Sequence, residues 1–336
     1  MMDSARERAH ILVTGGTGFL GRRLVEYLVG QGERVRVLGR RAMPCWQDNG
    51  MIEYLRGDIA DSRVIKDALA GVEVVYHLAA TTQGDWATHS AVTVDATARL
   101  LETVAEEGGG RVVLVSTLMV YDSDAMRNGA TVDENFPMAE NLECVGNYAR
   151  AKIEAEHIAR NYLAHPLVKL TIVRPGIIYG PGMHNPLNGV AVPLRGKLLV
   201  VLGIGDKDVP LIYVDDVSRA LVEIMNNEAT EGRVYNLIHP DMPNQNDYLT
   251  LYRKLSGDTR PVVRIPPRVS LLLLHVAERV IRASGARRAS LVDRASRALK
   301  QVRYTADHLE RDTGFAPCVG FQEGLQKMLG RGDDGC

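Results

Sequence analysis

The sequence predicts an α/β fold, a doubly wound parallel sheet with a smaller C-terminal lobe for substrate. Three observations predict it. A glycine-rich turn, TGGTGFLG at residues 14–21, directly follows a β-branched run and opens a helical stretch. Short β runs then alternate with amphipathic stretches as far as Val173. Past Arg174 the rhythm loosens, with proline and glycine crowding residues 175–196. Such alternation puts helices on both faces of a parallel sheet, and ligands bind beyond the carboxyl ends of its strands.

Each element follows in turn. Residues 10–14 (HILVT) are a strand ended by glycines, residues 18–31 a helix, and residues 34–38 (RVRVL) a second strand, which completes a βαβ unit. Further strands are expected over residues 52–55, 74–77 and 112–115, with helices over 62–69 and 91–105. A polar loop over 122–146 leads to a helix over 147–163 and a strand over 169–173. The nucleotide lobe is expected to span residues 1–174, with a return segment near 213–226, and residues 175–336 mainly the substrate lobe. No internal repeat or low-complexity tract interrupts this order.

Composition narrows the classes of function. Forty basic against 41 acidic residues give a net charge of −1, so nucleic acid is not the expected partner. Cys45, Cys144, Cys318 and Cys336 lie far apart, which argues against a disulfide framework or a metal site and for a reducing cytoplasm. The first nine residues, MMDSARERA, lack the apolar core of a signal peptide. The apolar run at 269–274 is far short of the roughly 20 residues that span a bilayer, so no membrane partner is expected.

The glycine turn satisfies two spacings, G-x-G-x-x-G with Gly16, Gly18 and Gly21, and G-x-x-G-x-x-G with Gly15, Gly18 and Gly21. Glycine lets the backbone approach a pyrophosphate, and a helix N-terminus supplies free N–H groups. An incidental turn is the alternative, but the strand-to-helix setting favours a dinucleotide. Gly15, Thr17, Gly18, Phe19 and Leu20 are its candidate ligands here. After the second strand stand Gly39, Arg40 and Arg41, with no carboxylate to repel a 2′-phosphate. Two guanidinium groups suit that phosphate, so NADP is expected over NAD; a solvated basic turn is the alternative.

Tyr148 and Lys152 lie four residues apart, on one face of the expected helix. An ammonium beside a phenol lowers the phenol's pKa and poises it as an acid or base for an alcohol/ketone pair. Ser116 and Thr117 offer hydroxyls at the end of the fifth strand, one of them expected to do no more than bond within a turn.

In this order TGGTGFLG, GDI (57–59), YHLAA (76–80), VSTLMVY (115–121), YARAK (148–152), RPGIIYGPG (174–182) and YVDDV (213–217) resemble the extended short-chain dehydrogenase/reductase superfamily. The resemblance covers almost the whole chain and implies a Rossmann nucleotide lobe. It implies a catalytic set of Thr117, Tyr148 and Lys152, with Lys152 also holding the nicotinamide ribose. Asp58 and Ile59 would border the adenine, Leu78, Ala79 and Ala80 would line the cofactor channel, and Pro175 and Ile177 would pass near the nicotinamide.

Departures from the family pattern bear on substrate. Where nucleotide-sugar epimerases carry an asparagine stands Ile177, and their arginine-bearing diphosphate clamp corresponds to Val209, Pro210, Leu211 and Ile212. Arg195 or Arg219 is a candidate replacement for that clamp. Leu118 and Met119 replace the Asp-Glu pair of the dehydratases, and Thr93 stands for the family's helix asparagine. Cys144 is a candidate extra acid/base, an idle thiol being the alternative. The later chain, with the apolar segment 269–281, looks more like the hydroxysteroid dehydrogenase and flavonol-type reductase branches.

Together these imply an NADP(H)-dependent oxidoreductase that interconverts a secondary alcohol and a ketone on an apolar small molecule. An NAD-dependent nucleotide-sugar epimerase or dehydratase is the alternative, and a non-catalytic dinucleotide sensor a third. A homodimer built from helices 91–105 and 147–163 is expected by the same resemblance.

Overall fold

A computed structural model describes residues 10–41, 50–143, 145–270 and 299–330, together with Leu272 and Arg279. At its centre β1 (Ile11–Thr14) is buried at every position, as a strand covered on both faces must be. Next come β2 (Val35–Gly39), β3 (Ile52–Arg56), β4 (Val74–His77), β5 (Gly110–Val115) and, after the short β6 (Ala130–Val132), β7 (Val168–Pro175). Two small sheets, β13-β10-β9 and β11-β8, are formed by β8 (Ile177–Tyr179), β9 (Val192–Leu194), β10 (Leu198–Leu202), β11 (Leu211–Tyr213) and β13 (Val262–Ile265). Between the last two, β12 (Val234–Leu237) rejoins the main sheet, whose order is β12-β7-β5-β4-β1-β2-β3 with every pairing parallel. The winding reverses between β1 and β4, which opens a crevice at their carboxyl ends.

Helices cover both faces. On one, α1 (Phe19–Gly30) packs Leu24, Val25 and Leu28 with Val217, Leu221 and Ile224 of α6 (Val214–Asn226). On the other lie α2 (Ser62–Leu69), capped by the Asp61 carboxylate, then α4 (Ala96–Glu106) and α5 (Asn147–Arg160). The main sheet thus takes β12 and α6 from beyond Arg174.

Three elements differ from expectation. The helix after β4 begins not at residue 91 but with α3 (Trp86–His89), because the Asp85 side chain accepts from Thr88 N and caps it. A π-helical turn, Ser90–Asp95, then joins α3 to α4. The polar loop contains β6, which pairs in parallel with β14 (Val302–Tyr304); a strand of three residues whose partner is so distant leaves no local pattern. The helix after Gly146 stops at Arg160 rather than residue 163, where the chain turns toward β7.

A separate buried cluster packs Leu199, Val201, Leu211 and Tyr213 against Tyr248 and Leu249 of α7 (Gln245–Ser256). Two terminal helices follow, α8 (Asp307–Thr313) and α9 (Phe321–Leu329). Among the described residues no helix is long and apolar enough to cross a membrane. Cys45, Cys144 and Cys336 lie outside the described residues, as does most of the apolar segment 269–281; Cys318 is exposed and unpaired.

Candidate active site

The glycine turn is shaped by contacts that leave no room for Cβ atoms. Gly15 has φ +72°, and a Cβ on it would lie 2.8 Å from Ala79 N. Gly18 N donates to Gly15 O at 2.9 Å. A Cβ on Gly21 would collide with Gly15 O and lie 2.6 Å from Gly16 Cα. Gly15, Gly18 and Gly21 therefore carry the close backbone approach, while the space beside Gly16 is filled by a side-chain methyl of Val37. Gly18 has no side chain to cap α1, and the first turn holds no acid. The N–H groups at Phe19 and Leu20 and the positive end of the helix dipole thus suit a pyrophosphate. Half-buried Leu78, Ala79 and Ala80 continue from β4 beside this turn, where Thr14 Oγ1 accepts from Ala79 N at 3.3 Å.

At the end of β2, a Cβ on Gly39 would lie 2.5 Å from Tyr54 Oη and 2.9 Å from Thr17 Cγ2. Arg40 and Arg41 are exposed, and their carbonyls accept from Arg56 Nε at 3.4 Å and Tyr54 Oη at 2.6 Å. Arg56, opposite Gly39 in the register, adds a third guanidinium that the sequence reading missed. Asp58 is exposed and accepts from Ala60 N at 3.0 Å, whereas Ile59 is buried in the core beneath α2 and α4.

Past β5 the chain turns at Thr117, whose Oγ1 accepts from Met119 N at 3.3 Å and whose hydroxyl lies near enough to Tyr148 to pull the phenol's pKa down. Tyr148 occupies the first turn of α5 and is half-buried. Its pKa corrects the expectation of a lowered phenol. Burial raises it, with the Thr117 hydrogen bond pulling the other way. The expected partner is engaged elsewhere: buried Lys152 donates to Val115 O at 2.7 Å. Burial pushes that ammonium down to about 8, opposed by the charge of Glu156.

Beneath this pair lies a buried polar network, also absent from the sequence expectations. Glu156, one turn beyond Lys152, accepts from Ser116 Oγ at 2.6 Å and from Arg174 Nε at 3.1 Å. Ser116 is thus the hydroxyl with a structural task. The Arg174 guanidinium lies 4.6 Å above the Tyr121 ring, and Tyr121 Oη donates to Asn236 Oδ1 at 2.6 Å. Glu134 Oε1 accepts from Asn236 N at 2.9 Å and its other oxygen lies 3.2 Å from His308 Nδ1. The one sequence signal for this network was the repeat of the 148–152 spacing at 156.

His77 forms a second buried chain. Its Nδ1 is 2.7 Å from Thr14 Oγ1 and its Nε2 2.9 Å from Thr97 Oγ1. Thr97 gives its own proton to Thr93 O at 2.6 Å, so it accepts from an Nε2–H tautomer, and Nδ1 accepts from Thr14. Burial and the nearby Lys152 charge push His77 down to about 3. Thr93 lies in the π turn, buried, with Oγ1 accepting from Thr81 N at 3.4 Å. The Arg150 guanidinium lies 3.7 Å from the Trp86 ring centroid and ties α3 to α5.

The positions thought to bear on a diphosphate are distributed differently from the expectation. Buried Pro175 ends β7, and half-buried Ile177 begins β8, its N–H donating to Pro210 O at 2.7 Å. Val209 is 1% exposed and packs in the hydrophobic cluster with Leu199, Leu211 and Tyr248. Arg219 is no substitute clamp either, because Asp216 Oδ1 at 3.1 Å and Ala316 O at 2.7 Å hold it. Arg195 is exposed in the tight turn between β9 and β10, with φ 49°. Among the described residues no cluster of histidine, cysteine or carboxylate groups could hold a metal ion.

The sheet order, the glycine turn and the Tyr148–Lys152 helix define an NAD(P)-dependent enzyme of the extended short-chain dehydrogenase/reductase kind. The chain belongs to the NAD-dependent epimerase/dehydratase family, whose model matches residues 11–237. It is 27% identical over 328 residues to a 2-alkyl-3-oxoalkanoate reductase from Stenotrophomonas maltophilia, covering 95% of this chain and 98% of that protein. It is 23% identical to an N-acetyl-alpha-D-glucosaminyl-diphospho-ditrans,octacis-undecaprenol 4-epimerase from Escherichia coli, covering 95% of this chain and 94% of that one. The solved structure of a UDP-glucuronic acid 4-epimerase from Bacillus cereus in complex with NAD superimposes with a TM-score of 0.72, at 21% identity and over 95% and 97% of the two chains.

Proposed function

We propose that this protein is an NADP(H)-dependent oxidoreductase interconverting a secondary alcohol and a ketone on an apolar small molecule, with Tyr148 as the acid/base. The observation that carries the proposal is the convergence of Thr117, Tyr148 and Lys152 at the carboxyl end of β5. When bound, the nicotinamide accepts or supplies a hydride. The chain's own residues then handle the oxygen and its proton. Thr117 orients the substrate oxygen by hydrogen bond. Burial raises the Tyr148 phenol, which gives its proton to the oxygen when a ketone is reduced and takes one back in the reverse direction. Lys152, one turn along the same helix, donates to Val115 O and so positions the strand end that carries Thr117.

Gly15, Thr17, Gly18, Phe19 and Leu20 hold the pyrophosphate in this proposal, with Leu78, Ala79, Ala80, Pro175 and Ile177 along the remainder of the cofactor. Arg40 and Arg41 select the 2′-phosphate, while Asp58 and Ile59 border the adenine. The lobe built mainly from residues 175–336 takes the substrate, and α4 with α5 forms a homodimer contact. The dispersed cysteines suit a cytoplasmic setting. For substrate, support comes from Ile177 and from a relative named for reducing 2-alkyl-3-oxoalkanoates. Burying a diphosphate without a cationic partner costs several kcal/mol. The nucleotide-sugar reading is supported by the epimerase relative; a sensor would have no use for the Tyr148–Lys152 pair.

The test is calorimetry of NADP-loaded protein against UDP-, GDP- and dTDP-sugars beside a panel of hydrophobic ketones. Binding of ketones alone is the expected result. Micromolar binding of a nucleotide sugar with no ketone bound would move the assignment to the epimerase.

A further inference from the structure

The three-stranded sheet β13-β10-β9 has two apolar faces. Burial alternates along β10, with Leu199 and Val201 fully buried and Leu198, Val200 and Leu202 half-buried on the opposite side. Register places neighbours on that outer side: Val192 opposite Val200 and Leu194 opposite Leu198 from β9, with Val263 and Ile265 beside Val200 and Leu202 from β13. Val192 is 56% exposed, Leu194 50% and Val263 44%. An outer sheet face in a soluble protein ordinarily alternates to polar residues, so an aliphatic one marks a contact surface.

Positive charge frames it. Arg195 and Lys197 stand exposed in the turn between β9 and β10, and Arg268 stands exposed three residues past β13. Residues 260–270, around β13, carry Arg260, Arg264 and Arg268 and no acidic residue, in a chain whose net charge is −1. We infer that this face docks on an anionic lipid surface, lying on the bilayer without crossing it. Aliphatic side chains enter the headgroup boundary while the surrounding lysine and arginine residues meet lipid phosphates. A second copy of the chain fits less well, since it would bring like charges together, and Pro193 denies the β9 edge one ladder donor. The absence of aromatic residues from the seven named sheet positions gives nucleic-acid bases no stacking platform.

The inference is independent of the substrate assigned above, and its test needs no turnover. The full chain is co-sedimented with vesicles of phosphatidylcholine alone and of phosphatidylcholine with phosphatidylglycerol. It should pellet with the anionic vesicles only, and release as salt is raised, because screening shortens the reach of the basic frame. Lys197→Glu combined with Arg268→Glu should weaken partitioning by roughly tenfold or more. Val192→Ser combined with Leu194→Ser should weaken it as well, with circular dichroism and dinucleotide titration reporting an intact fold. Failure to bind anionic vesicles, or equal binding to neutral ones, overturns the inference. So does a dimer abolished by the serine pair in a protein that ignores vesicles, which would make the occupant a second copy.

Discussion

Ser116 Oγ donates to Glu156 Oε2 at 2.6 Å, joining the residue before Thr117 to the helix that carries Tyr148. The same helix face meets its neighbours: Lys152 donates to Val115 O, and Tyr148 stands beside Thr117. Two consecutive positions at the strand end, 115 and 116, are therefore fixed by residues 152 and 156, one helical turn apart. Glu156 in turn is anchored by fully buried Arg174.

Removing that anchor should be costly. Glu156→Gln leaves the Arg174 charge without its ion partner in the interior, which destabilises by about 3 kcal/mol or more in urea unfolding. Burial would raise the Glu156 pKa, but Arg174 and Ser116 hold it below the ordinary 4.5. A group depressed on folding contributes stability that is full above its unfolded pKa and is lost as pH falls through the folded value. The gap between wild type and variant should therefore close on acidification below about 4.5. A gap that does not change with pH would mean that Glu156 is not ionised in the folded protein.

Tyr148→Phe should lose turnover by a factor of 100 or more, roughly the share general acid catalysis supplies, with dinucleotide affinity nearly unchanged. A variant that turns over at the wild-type rate would reassign the acid.

Titration with NADPH and NADH should show tighter binding of the phosphorylated cofactor, and Arg40→Ala should narrow the difference. Equal affinity in the unmutated protein counts against any role for Arg40 and Arg41 in the choice.

Gly21→Ala should abolish binding of either dinucleotide, because the added methyl collides with the Gly15 carbonyl and must displace the turn. Fluorescence titration that still reports wild-type affinity would show that the turn does not carry the cofactor.

His77 should remain neutral, with its proton on Nε2, across the physiological range in nitrogen NMR. Its folded pKa of about 3 lies below the ordinary 6.5, so the folded state binds fewer protons than the unfolded one. The stability this contributes is complete above about 6.5 and lost as pH falls toward about 3. An imidazole titrating near 6.5 would place His77 in contact with water.

Strand and helix order was legible where structure is local. Periodicity found β1 to β5, and the turn chemistry of residues 14–21 declared itself because the residues that shape it are adjacent. What escaped depends on distant partners. β6 has no meaning without β14, and Arg174 marked only the end of a strand until folding set it beside Glu156 and Tyr121. The Tyr148 pKa was misjudged for a related reason. Spacing brings Lys152 onto the same helix face, but spacing says nothing of burial or of the Val115 carbonyl that takes the ammonium's hydrogen bond. Averaging charge over the whole chain likewise hid the basic bias of residues 260–270.

The pairing of β6 with β14 sets an order of events during synthesis. Residues 10–115 hold the strands and glycine turn of the dinucleotide crevice, and contacts among them, such as Thr14 with His77 63 residues on, span much less chain. The segment between Thr117 and Tyr148 is fastened from much farther away: Lys300 Nζ donates to Ser123 O across 177 residues, Gln301 N to Asn128 Oδ1, and Gln301 O accepts from Gly129 N. A nascent chain emerging from the ribosome would thus have its nucleotide crevice complete long before residues 300–305 arrive to pin the loop before Tyr148. Cofactor capture could then precede, and template, the assembly of the chemistry it serves.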